Sequence, residues 1–97
     1  MIDNSTTAGH LTEKLLVEVC TIDERTIAIL NPGKVTGEDV QDSIVEYLSS
    51  ISLKPEKRRE GLCRIITVHT GGGIGGTLYI TIALRGDGGI EIRFNVL

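Results

Sequence analysis

The chain has 97 residues, 40% of them hydrophobic and 24% charged, with a net charge of −3 at pH 7. A chain this short makes one domain that buries roughly 60–65% of the surface its unfolded form exposes, so one compact core is expected and a deep, enclosed active site is not. The acidic balance argues against a general nucleic-acid binder, and the only aromatic residues, Tyr47, Tyr79 and Phe94, offer almost no platform for stacking bases.

Residues 1–12 are small and polar without periodicity and read as a mobile tail, leaving residues 13–97 as a single α+β domain. The start "MIDNSTTAGH" lacks the basic and apolar regions of a secretion signal, and no apolar run approaches the ~18 residues that span a bilayer. The cytoplasm is the expected compartment, with no membrane contact. In "LLVEVC", Leu15, Val17 and Val19 alternate onto one face; in "TIAIL", Ile27 and Ile29 do the same, with "TIDER" as the turn between them. Period-two alternation predicts an antiparallel hairpin.

"NPGK" then breaks the sheet, and Thr36 stands ready to cap a helix. Asp39, three residues on, occupies the capping-box position, and Glu38 adds a second acid at the positive end of the helix dipole. Val40, Ile44, Tyr47, Leu48 and Ile51 recur at intervals of three and four, predicting a helix from about Gly37 to Ser50 with one apolar stripe. "KPEKRREG" reads as a charged connector, with Lys54, Lys57, Arg58 and Arg59 set against Glu56 and Glu60. The strands "LCRIITVHT", "TLYITIALR" and "IEIRFNVL" follow, and Asp87-Gly88 signals a tight hairpin turn between the last two.

The predicted order is β-β-α-β-β-β: a predominantly antiparallel five-stranded sheet with a single helix on one face. That helix should cover Val17, Ile29, Ile66, Ile80, Ile82 and Ile92. The opposite face would carry Leu16, Cys20, Ala28, Leu30, Cys63, Ile65, Tyr79 and Ala83 among Thr67, Thr81, Glu91 and Arg93. So much apolar area points to an interface, with Leu16, Leu30, Cys63, Ile65, Tyr79 and Ala83 as its candidate residues, unless the sheet curls strongly enough to shield part of that face itself. The expected partner is another protein or a second copy of the chain, and "IEIRFNVL" would offer an edge strand for pairing.

The five glycines between Gly71 and Gly76 pose a separate question. Gly71, Gly73 and Gly76 match G-x-G-x-x-G by letter, but a dinucleotide site needs a helix after the loop and here a strand follows. A nest of backbone N–H groups for a phosphate-containing ligand is the surviving chemical reading, with Gly71, Gly72, Gly73, Gly75 and Gly76 forming it and His69 and Arg85 adding donors. A pliable hairpin connection, or a place of contact with a partner, is the reading the glycine run favours over that nest.

Other chemistry is faint. "NPGKVTG" places Lys34 after Gly33 but lacks the glycine and hydroxyl residue of a phosphate-binding loop. Cys20 and Cys63 match no zinc spacing with His10 or His69, so buried reduced thiols are expected, with no metal and no cofactor. His69 is the sole candidate base and no nucleophile stands beside it in sequence, so catalysis is the weakest of the three readings.

Overall fold

The computed structural model describes residues 4–69 and 76–96. Two helices and six strands follow one another as α1 (Asn4–Leu15), β1 (Cys20–Asp23), β2 (Thr26–Ile29), α2 (Gly37–Ser50), β3 (Glu56–Glu60), β4 (Cys63–His69), β5 (Thr77–Leu84) and β6 (Ile90–Val96). The strands form one antiparallel sheet in the order β1-β2-β6-β5-β4-β3. The α+β class therefore holds, while the expected five strands and single helix become six and two.

The extra helix comes from residues read as a tail. Thr7, Ala8, Leu11 and Leu15 recur at helical spacing, and Thr7 and Leu11 are buried. Only Leu11 and Leu15 in the stripe are large and apolar, so hydrophobicity barely announces it. Long-range contacts secure it instead. The Asn4 amide donates to the carbonyls of Asp23 (3.2 Å) and Glu24 (2.7 Å), the His10 ring meets the Ser43 carbonyl at 3.0 Å, and Lys14 pairs with Glu46 at 3.1 Å. The extra strand comes from the charged connector. β3 has no buried residue, but its backbone pairs with β4 from Glu56↔Thr67 to Glu60↔Cys63 through a turn at Gly61 and Leu62. Charge along such an edge guards against pairing with other chains.

The first hairpin is shorter than its sequence suggests. Leu15 ends α1, Leu16 takes a left-handed conformation (φ 56), and Val17 and Val19 reach the core from an extended linker. Helix α2 runs Gly37–Ser50 as expected, with Thr36 and Asp39 forming a complete capping box. It buries Gln41 and Ser43 as well as Val40, Ile44 and Leu48, because strands flank it on one side and α1 on the other. Ile51, assigned to the stripe, is instead an exposed cap. The core is the layer between the helix pair and the sheet: Leu11, Val40, Ile44 and Leu48 against Ile27, Ile29, Ile66, Ile80, Ile82 and Ile92.

The C-terminal strand is not an edge. β6 lies between β2 and β5, and the edges are β1 and β3. The hairpin leading into β6 is closed by Arg85 N–H to the Gly89 carbonyl (2.8 Å) and Gly88 N–H to the Arg85 carbonyl (3.1 Å), with Gly88 at φ +89. This is the three-residue loop with a left-handed last position, which glycine adopts without a Cβ clash.

Candidate functional site

Of the proposed anion nest, Gly71, Gly72, Gly73 and Gly75 lie outside the described residues. Gly76 immediately precedes β5. His69 ends β4 and is the cross-strand partner of Thr77, its Nδ1 lying 3.2 Å from the Thr77 hydroxyl. Arg85 follows the other end of β5, eight strand positions away, or about 26 Å along an extended chain. There it pairs with Asp87 and Glu91, both at 3.3 Å. His69 and Arg85 thus stand at opposite ends of the sheet and do not converge on one ligand.

Strand register settles what the open face presents. Thr26, Arg93, Thr81, Ile65 and Arg58 lie side by side across it, as do Asn95, Tyr79, Thr67 and Glu56 in the neighbouring row. A third row carries Cys20, Ala28, Glu91 and Ala83. Its apolar members are screened within the molecule: Ala28 is 0% and Ile65 3% exposed. Arg58 stands beside Ile65, places its guanidinium 5.8 Å from the Tyr79 ring centroid and donates to the Tyr79 hydroxyl. Glu91 accepts from both Arg85 and Arg93 at 3.3 Å. Long polar side chains cover apolar neighbours with their stems and keep their heads in water. Among the described residues, none of the large exposed apolar side chains comes from this face of β2, β6, β5 or β4, which removes the argument from exposed apolar area there. Leu16 and Leu30, expected on the same surface, are exposed but lie outside the strands.

Cys20 and Cys63 are both free. They sit on strands four spacings apart, about 19 Å, far beyond disulfide reach. Among the described residues, no group of three or more His, Cys, Asp or Glu gathers to hold a metal ion, and no helix is long and apolar enough to cross a membrane. The carboxyl groups with shifted acidities belong to hairpin turns, Asp23 at the end of β1 and Asp87 within the β5–β6 loop. The Arg25 N–H, 2.8 Å away, leads in holding Asp23 below its ordinary value, and the Gly89 N–H, at 2.9 Å, does the same for Asp87. A turn accounts for each shift without invoking catalysis.

The exposed apolar surface gathers elsewhere. Where β5 leaves the sheet, a cleft of about 410 Å³ opens between the start of α2, the β3–β4 turn and the β5–β6 hairpin. Its walls include Pro32, Val35, Leu62 and Leu84, and Ile82 and Ile90 reach it from the core. Leu62 is 81% and Leu84 67% exposed, although both are large aliphatic residues. The only hints in the sequence are positional: Leu62 follows a turn glycine, and Leu84 ends a strand just before the polar hairpin.

A depression of about 250 Å³ adjoins the cleft and shares Glu38, Arg59 and Arg64 with it. Lys57, Arg58 and Gln41 complete its lining. Glu38 is the single carboxylate of that lining and pairs with Arg64 at 3.2 Å. Arg59 and Arg64 are direct cross-strand partners, an arrangement in which like charges repel. Arg59 donates from Nε to the Gly61 carbonyl at 3.2 Å and has no carboxylate partner among the described residues. Gln41, 3% exposed, donates to the carbonyls of Arg58 and Ile65, both at 3.0 Å, and so ties the edge strand to α2. The result is one continuous groove with an apolar half and a basic half. By contrast, a depression of about 500 Å³ at the β1–β2 turn, lined by Asp23, Glu24, Arg25, Thr26, Arg93 and Asn95, has mixed charge and no aliphatic wall.

Comparison with protein-family models, with curated proteins and with solved structures finds no match to this chain.

Proposed function

We propose that this chain is a non-catalytic protein–protein interaction module of the cytoplasm, docking another protein or a second copy of itself in the groove bounded by Leu62 and Leu84. The observation that carries this reading is the pairing of two exposed leucines across a concave surface while the sheet's open face is screened by its own arginines and glutamates. Exposed aliphatic side chains clustered in a cleft are a usual mark of a contact site, whereas scattered ones are not. Free thiols at Cys20 and Cys63 suit a reducing compartment.

The energetics favour a transient contact. Burying a leucine side chain contributes about 1.5–3 kcal/mol, so the pair contributes about 3–6 kcal/mol gross. Association itself costs about 4 kcal/mol or more. Apolar burial alone therefore yields weak binding, and the basic half of the groove must supply the rest.

A photo-crosslinking residue at Leu84, expressed in the chain's native cells, tests the reading. The expected result is a discrete protein adduct absent when the same residue replaces Ile51, which is also exposed but does not line the groove. No adduct, or equal adducts from both positions, refutes the module.

A further inference from the structure

Resting on the interaction-module reading, we propose that the groove recognises a linear peptide segment of another protein in which a large aliphatic or aromatic residue is followed by carboxylates at alternate positions. The two halves of the groove ask for different chemistry. The cleft at Leu62 and Leu84 takes an apolar anchor, since its walls and floor are aliphatic. The adjoining half presents Lys57, Arg59 and Arg64 with Glu38 as its one lining carboxylate, since the Arg58 guanidinium is held at Tyr79 on the other face of the sheet, in a chain whose net charge is −3. The basic charge is thus concentrated beside the exposed leucines.

Arg59 is the focus. It faces Arg64 across the β3–β4 ladder, and Glu38 is committed to Arg64. A carboxylate entering between the two guanidinium groups would relieve that repulsion and give Arg59 the partner it otherwise lacks. Lys57 lies two residues before Arg59 on the same strand and the same side, a repeat of about 6.7 Å that matches alternate residues of an extended chain. Its pairing with Asp42, at 2.7 Å between half-exposed side chains, is the kind of surface contact an incoming carboxylate displaces at little cost. Recognition along the strand therefore calls for an extended acidic segment.

Other occupants fit less well. A nucleic-acid backbone would leave both leucines unused, and the groove has no aromatic residue for bases. A small anion would fill the basic half and leave the cleft solvated.

Selection of a phage-displayed random dodecapeptide library on the full-length chain tests the proposal. The expected outcome is enrichment of sequences with Leu, Ile, Met or Phe followed by alternating Asp or Glu. Binding of a synthetic enriched peptide, followed by fluorescence anisotropy, should fall at least tenfold with Arg59→Glu and with Leu84→Asp. Replacing by lysine the one peptide carboxylate that faces Arg59 should restore binding to Arg59→Glu. Both positions are exposed, so circular dichroism and melting of the variants should match the parent. Enrichment of peptides without carboxylates, affinity indifferent to both substitutions, or no enrichment over a blank surface overturns the proposal. So does a dimer, seen by sedimentation without peptide, that Leu84→Asp dissolves, because the occupant is then a second copy. In each of these cases an adduct at Leu84 in cells still sustains the interaction module, so the two readings fail separately.

Discussion

Leu11→Ala should lower the stability of the whole domain, although the residue lies in a segment whose sequence reads as a polar tail. Leu11 is 0% exposed, and Thr7 is the only other buried residue of α1. Truncating a fully buried leucine costs about 2–5 kcal/mol, depending on how far the site collapses. Here the remaining anchors of α1 are the buried Thr7, the partly buried Ala8 and Leu15, the exposed Asn4 hydrogen bonds, the His10 contact and the Lys14–Glu46 pair, and surface ion pairs contribute at most about 1 kcal/mol. A loss of about 3 kcal/mol is therefore expected, against a total stability of about 5–15 kcal/mol for a domain of this size. Thermal unfolding followed by circular dichroism should show the midpoint falling by roughly 15 °C. Leu16→Ala is the matched control: the same residue type, 87% exposed, with a Cβ before and after so that the positive φ is unchanged. It should alter stability by less than about 0.5 kcal/mol. Equal midpoints for the two variants would show that α1 does not pack as described, and the two-helix architecture would fall with it.

Gly89→Ala should destabilise the β5–β6 hairpin by more than about 1 kcal/mol in chemical denaturation, because an added Cβ would lie 2.7 Å from the Ile29 carbonyl oxygen, a backbone atom that cannot swing aside. Gln41→Leu should cost about 1–3 kcal/mol and raise amide exchange in β3 more than in β6, since two carbonyls lose the donor that ties the edge strand to α2. Asp87 is held below its ordinary value near 3.8 by the Gly89 N–H, so the stabilisation from its ionised form is present above that value and lost as pH falls through the folded-state pKa. Urea titrations of Asp87→Asn should therefore show a deficit against the parent at pH 7 that closes toward pH 2; a deficit independent of pH refutes the assignment.

Local chemistry was legible where it is self-sufficient. Thr36 and Asp39 satisfy each other's backbone within one turn of α2, and Asp87-Gly88 closes a loop that needs no distant partner. The strands β4, β5 and β6 announce themselves because one face of each is buried and alternation survives in the letters. The groove was not legible. Leu62, Leu84, Arg59 and Arg64 come from one turn and three strands, and neither the exposure of the leucines nor the missing partner of Arg59 has a periodicity.

The amino-acid order by itself determined the α+β class, the bounds of α2 and the three apolar C-terminal strands, because caps, turns and hydrophobic periods act over a few neighbouring residues. Only tertiary structure decided the rest. "NSTTAGHLTEKL" is a helix because Leu11 finds a core to enter, and "EKRRE" is a strand because β4 offers it a hydrogen-bonding edge. β6 is central rather than peripheral because the meander from β3 returns to β2. In each case the deciding interaction joins residues far apart in the chain, and its free energy exists only once they meet.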